Sequence, residues 1–308
     1  MSTPAPALSP SLSPPLSPSL SIETRAGLIE DTDNRFLGRA VFADLAHSTD
    51  EATDLVALAL GLRAEGPEDR DALRLIALAT VSPDARVWPL KLCRVLSSYG
   101  APVVGVFGAQ LLTAGSIMGP GVTVGAARGL VQVAGAVARG EDLAEAIAAH
   151  RAANGGRFEG FGVPLRPADE RQVALTALVE GTPLAARPYW RLHREVIAQS
   201  RTRSPDAPNV VLPIAALLLD LGARPERCGL ALSTLMMPVF VAHALEAAES
   251  DGLLRALPAS VVAFEGAAPR HTATPAPSTA PPALRRRWGR APEAREGSVY
   301  SQPRPAEP

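Results

Sequence analysis

The stretch Gly160-Phe161-Gly162-Val163-Pro164-Leu165-Arg166-Pro167-Ala168-Asp169-Glu170-Arg171 has the residue types of an anion site. Gly160, Gly162 and Pro164 suit a sharply turning backbone that a ligand can approach closely. A helical pattern follows, with Pro167 suited to its first turn and Asp169 and Glu170 to the positive end of its dipole. A helix N-terminus offers N–H groups to an anion, and Arg166 and Arg171 add two guanidinium forks. Arg171 is the first candidate for a ligand contact, and Arg166 is paired with it. The competing reading is a Gly/Pro turn with solvated arginines, in which Arg171 bridges to Asp169 or Glu170.

Other polar residues carry less chemistry. His193 falls between Leu192 and Val196 in a helical pattern, where a lone histidine is more often structural. His150 and Arg151 fall near the end of an Ala-rich helix, which makes His150 a structural cap rather than a ligand. Cys93 and Cys228 lie far apart in apolar segments without metal spacing, as two buried thiols in a reducing compartment would. There is no Ser-His-Asp arrangement, phosphate loop or Cys/His cluster, so neither a metal nor a cofactor is expected.

The elements that must position these groups read as helices. Phe42, Leu45 and Ala46 sit at helical spacing, and Asp50, Glu51 and Asp54 precede the apolar run Leu55 to Leu62. Asp71 to Ala79 continues in that mode. Glu141, Asp142 and Glu145 open the Ala-rich helix, and Asn154-Gly155-Gly156 ends it. Further helices are predicted from the glycine turn to about Glu180, over Tyr189 to Gln199, over Val210 to Leu221, and from Glu226 to about Glu249. No stretch sustains period-two alternation, and aromatic residues make up 4% of the chain. The fold class predicted is all-α.

With 308 residues, 47% of them hydrophobic, the chain can build one large core or two smaller ones. A formal net charge of −1 suggests neither nucleic acid nor an anionic membrane as partner. Residues 101–127 carry no charge, yet Gly105, Gly108, Gly115, Gly119, Pro120 and Gly121 punctuate them. Two buried helices at a subunit interface fit that pattern better than a membrane span. A soluble, cytoplasmic protein is expected. Residues 1–21 and 263–308 are rich in Pro, Ser, Thr and Ala and read as disordered tails, the second with the basic knot Arg285-Arg286-Arg287-Trp288-Gly289-Arg290.

In combination and in order, several stretches resemble the citrate synthase superfamily, which includes the citryl-CoA lyases. Gly160 to Arg171 resembles its Gly-Phe-Gly-His-x-x-(basic)-x-x-Asp-Pro-Arg loop. Gly115-Ser116-Ile117-Met118-Gly119-Pro120-Gly121-Val122 is similar to its Gly-Ala-Leu-x-Gly-Pro-Leu-His segment. Ala216 to Gly222 and Ala242 to Glu246 resemble its last helices, and Arg94 to Gly100 a fourth segment. The resemblance covers about residues 22–250. It implies a helical subunit of two domains, the larger of residues 22–125 and 223–262 and the smaller of residues 126–222. It also implies a homodimer, or a heterodimer with an active relative, and a cleft that holds a CoA thioester as ligand.

The same resemblance places the family's catalytic His, His and Asp on Val122, Val163 and Val211. A family arginine falls on Met236 and a substrate histidine near Asp84, and a carboxylate there repels an anionic substrate. Condensation by the family route needs a carboxylate to take a proton from an acetyl methyl group, and donors to hold the enolate oxygen. Valine supplies neither. The expectation is a protein without the condensation chemistry that binds CoA, an acyl-CoA or a carboxylate. The alternatives are an enzyme of altered chemistry on a thioester, using Asp84, Arg171 or His193, and a purely structural partner.

Overall fold

A computed structural model describes residues 25–29, 33–48, 52–64, 66–81, 84–85, 87–113, 119–163, 167–201, 207–249 and Gly266. The chain divides into two units, Met1–Arg255 and Ala256–Pro308, and every described residue but Gly266 belongs to the first. Both tails expected to be disordered lie outside the described residues, Gly266 aside. The two domains expected from the resemblance lie largely within the first unit.

The all-α expectation holds, with one small addition at the start. Strands β1 (Gly27–Ile29), β2 (Asn34–Phe36) and β3 (Arg39–Ala40) form an antiparallel meander. Leu37 and Gly38 join β2 to β3 with φ of 51° and 83°, the positive values that a tight hairpin turn requires. The Asp33 carboxylate then accepts from the N–H groups of Phe42 and Ala43 and caps the helical turn Val41–Leu45.

Helices follow in the order α1 (Ala46–Ser48), α2 (Ala52–Leu60), α3 (Pro67–Ala79), α4 (Trp88–Ser97), α5 (Pro102–Leu112) and α6 (Pro120–Ala138). The remainder are α7 (Leu143–Ala153), α8 (Glu170–Val179), α9 (Pro188–Arg201), α10 (Val211–Asp220), α11 (Pro225–Leu235) and α12 (Met237–Ala248). Local signals set many of the ends. Asp142 accepts from the N–H groups of Ala144 and Glu145 to start α7, and Gly156 bonds back to the Arg151 carbonyl to end it. The single closing helix expected from Glu226 onward is two helices. Pro238 has no N–H to give the Thr234 carbonyl, so the chain breaks at Met236 between α11 and α12.

The centre of the molecule is α10. Every residue from Leu212 to Asp220 is buried, and α6, α9, α8 and α3 pack around it. Its apolar side chains join those of α2, α3, α6 to α9 and α11 in one core, while α4, α5 and α12 form a second cluster around Cys93 and Phe240. Cys93 and Cys228 are free and buried, as expected. Burial raises both thiol pKa values, that of Cys228 to about 12.

Among its described residues, the uncharged stretch 101–127 contains α5 and the first part of α6. Pro120–Ala138 and the continuous stretch Pro225–Ala248 are long and apolar enough to cross a membrane by length and composition, a test that core helices also pass. α6 is packed within protein on its glycine face. A Cβ at Gly125 would lie 2.8 Å from Glu159 Cγ, and one at Gly129 would lie 2.9 Å from His150 Nε2. On α5, Val103, Val104, Phe107, Leu111 and Leu112 are exposed in the single chain.

Candidate functional site

The glycine turn forms as the sequence requires. Gly160 and Gly162 have φ of +99° and +95°, a region that side chains strain to enter. Gly160 also presses on α10, since a Cβ there would lie 2.6 Å from Leu212 Cβ. The turn is tied to the segment ahead of α10. The Asn209 N–H donates to the Gly160 carbonyl at 2.9 Å, and the Gly162 N–H donates to the Ala207 carbonyl at 2.8 Å. Asn209 uses its side chain twice, donating to the Gly162 carbonyl and accepting from the Val211 N–H, each at 3.0 Å. Val163 follows the turn directly, and Val211 opens α10, its N–H bound to the same Asn209 side chain that holds the Gly162 carbonyl. Val122 stands in the first turn of α6, one turn before Gly125, which abuts Glu159 just ahead of Gly160.

Asp169 links these parts. It caps α8 by accepting from the Arg171 N–H, and it accepts from the Val210 N–H at 3.0 Å, at the start of α10. The Arg171 guanidinium donates to both carboxylate oxygens through Nε and Nη2, each at 3.0 Å. Burial works to raise the Asp169 pKa, but the Arg171 pair and the two backbone donors outweigh it and hold the carboxyl below its ordinary value. The anion at this helix end is therefore the chain's own Asp169. Arg171 makes the bridge that the competing sequence reading named, and a quarter of its side chain remains exposed. Arg166 lies outside the described residues.

The remaining candidates separate from this centre. His193 has no exposed surface, and neither ring nitrogen has a hydrogen-bond partner. Its ring lies 4.3 Å from that of Trp190, centroid to centroid, and burial together with Arg194 pushes its pKa down to about 3. That removes it from the groups considered for altered chemistry, because a fully enclosed imidazole meets no substrate. His243 is buried against Arg94, whose Nη1 lies 3.3 Å from its Nδ1, in keeping with a satisfied core histidine. Asp84 is half-buried ahead of α4, and its carbonyl accepts from the Val87 N–H. Met236 lies at the break between α11 and α12. Among the described residues no group of His, Cys, Asp and Glu could hold a metal ion.

Sequence reasoning missed a polar cluster behind the turn. His150 does not serve as a helix cap. Its Nδ1 lies 2.7 Å from Gln132 Oε1, its Nε2 lies 3.6 Å from Glu159 Oε2, and its ring tilts against Phe158. The available signal was the Gly125/Gly129 pair on α6, whose spacing of four puts two bare positions on one helix face. Those gaps admit Glu159, His150 and Phe158.

No protein-family model matches the sequence, and no curated relative matches it. Solved structures do: the described helices have the fold of the citrate synthase superfamily. The chain is similar to citryl-CoA lyase from Hydrogenobacter thermophilus, with 16% identity and a TM-score of 0.68 over 82% of this chain and 97% of that one. It is also similar to ATP citrate lyase from Methanothrix soehngenii in complex with citrate and coenzyme A. That match has 15% identity and a TM-score of 0.63 over 82% of this chain and 43% of that one. Citrate synthase from Thermotoga maritima matches at 16% identity and a TM-score of 0.53, over 71% of this chain and 58% of that one.

Proposed function

We propose that this chain is a citrate synthase-like protein that has lost the acetyl-CoA condensation chemistry and binds CoA, an acyl-CoA or a carboxylate beside the glycine turn. The observation that carries this reading is the aliphatic character of Val122, Val163 and Val211, the positions onto which the resemblance places the family's His, His and Asp. An aliphatic side chain can neither take a methyl proton nor hold an enolate oxygen. The likeness to a lyase solved with citrate and coenzyme A supports the ligand class. Arg171, oriented by Asp169, is the proposed principal contact, with Arg166 beside it.

In this reading residues 126–222 are the smaller domain, and residues 22–125 with 223–262 the larger. The protein is cytoplasmic and pairs with a second copy or with an active relative. The exposed apolar residues of α5 support the pairing, because patches of this kind on packed helices mark interaction surfaces.

One observation favours a second reading, an enzyme of altered chemistry on a CoA thioester (a lyase, acyltransferase or hydrolase). His150 Nε2 and Glu159 Oε2 lie 3.6 Å apart behind the turn, beyond hydrogen-bond reach, and closure of that gap on ligand binding would bring an imidazole and a carboxyl group into contact. Calorimetry of CoA, acetyl-CoA, citrate and oxaloacetate, together with assays for citrate formation and for free CoA thiol, separates these cases. Binding without turnover supports the leading reading, and thiol release without citrate supports the second. Robust citrate formation refutes the lost chemistry. Failure of every ligand to bind leaves a structural partner.

A further inference from the structure

The charge at the glycine turn bears on which of the ligands proposed above fits beside it. Asp169 holds Arg171 there, because it also accepts from the N–H of Val210, the residue after the Asn209 that bonds Gly160 and Gly162. Arg171 Nε and Nη2 both donate to Asp169 at 3.0 Å, so one bidentate edge of the guanidinium is occupied. Among the described residues Nη1 donates to no acceptor, and a quarter of the side chain is exposed. The pair is also closed in charge. Its hydrogen bonds keep Asp169 ionised, so guanidinium and carboxylate together present no net charge to an incoming group. A second carboxylate is attracted by Arg171 and repelled by Asp169 at nearly the same range. Two further carboxyl groups flank the turn along the chain, Glu159 before Gly160 and Glu170 after Asp169. Arg151 lies over the Phe161 ring, with its Nε buried. The side chains of the turn itself are apolar, and Phe161 and Val163 are half-buried, as is Val211 at the start of α10.

Resting on the reading that the ligand binds beside this turn, we propose that it is a CoA thioester with a short, uncharged, apolar acyl group, and that the site excludes di- and tricarboxylates. The thioester carbonyl oxygen accepts from Arg171 Nη1. A neutral carbonyl needs one N–H and carries no charge for Asp169 to repel. A carboxylate in its place gives up water for a guanidinium that is already neutralised. The hydrocarbon of the acyl group meets apolar partners in Phe161 and Val163. Specificity then comes from a repulsive element, the Asp169 carboxylate, as well as an attractive one.

The test is calorimetry of the full chain with butanoyl-CoA and succinyl-CoA, whose acyl groups differ in ending on a methyl or a carboxylate, and with citrate and oxaloacetate as free acids. Butanoyl-CoA is expected to bind about tenfold or more tighter than succinyl-CoA, and neither free acid is expected to bind at millimolar concentration. Asp169→Asn keeps an oxygen for the α8 cap and removes the opposing charge. In a variant shown to be folded by helical circular dichroism, it is expected to narrow the gap between the two thioesters by about tenfold. If that variant does not fold, the wild-type ratio decides. Equal affinities in wild type, a preference for succinyl-CoA, or binding of either free acid overturns the proposal and leaves the reading of a ligand beside the turn standing. A folded Asp169→Asn with an unchanged ratio likewise overturns it. Failure of all four compounds to bind overturns the proposal and that reading together.

Discussion

Replacing Asp169 by Ala should be among the most damaging single changes near the turn. The carboxylate is 2% exposed and holds Arg171 bidentately while capping α8 and the start of α10. Removing it orphans two backbone donors and leaves a guanidinium with no partner. Breaking a buried ion pair from one side costs about 3–5 kcal/mol, and a quarter-exposed Arg171 regains some water, so the lower end, about 3 kcal/mol, is expected. For a body of this size that lowers the melting temperature by roughly 6–12 °C. The effect has a pH signature with a definite sign. The folded pKa of Asp169 lies below its unfolded value of 3.8, so its contribution is present above 3.8 and lost as pH falls through the folded value. Urea denaturation of wild type and Asp169→Ala across pH should show a gap that is full near neutrality and narrows below that value. A gap under about 0.5 kcal/mol at neutral pH, or one that widens on acidification, would refute the reasoning.

Gly160→Ala should cost more than Gly162→Ala. Both residues need positive φ, worth about 1–2 kcal/mol, but only Gly160 has Leu212 in the way, whereas nothing lies within 4 Å of a Cβ at Gly162. Equal melting temperatures for the two variants would contradict the packing of the turn on α10. The His193 imidazole, with a pKa of about 3, should show no NMR titration near its ordinary 6.5. Because the unfolded chain takes up that proton first, His193 erodes stability as pH falls from 6.5 towards 3, by up to about 1.4 kcal/mol per pH unit. A resonance moving at mid-range would mean that the ring is accessible. Phe107→Glu, on the exposed face of α5, should convert a dimer to a monomer by light scattering with its helical signal unchanged. A wild-type chain that is already monomeric would sink the proposed pairing.

Sequence alone determined what neighbours in the chain can settle. Apolar spacing marked the helices, Asp142 lay at the helix start it caps, and Gly160 and Gly162 marked a sharp turn, whereas Pro167, expected in the first helical turn, lies ahead of Asp169, the N-cap of α8. These signals act within one or two turns, so they survive reading without a fold. The β2–β3 turn escaped notice because Leu37 takes positive φ without an Asn or Asp to signal it. Tertiary structure decided what depends on distant partners. Asp220 accepts from the Tyr189 and Trp190 N–H groups, about 30 residues away, and so starts α9 from the end of α10. His193 looked the same in sequence whether exposed or enclosed, and only packing against Trp190 made it inert. The choice between a solvated and a bridged Arg171 was open until Asp169 was seen holding the start of α10 as well. The contact of His150 with Gln132 arises where α6 and α7 meet. No local pattern encodes such meetings, because burial and pairing there are set by helices whose residues lie far apart along the chain.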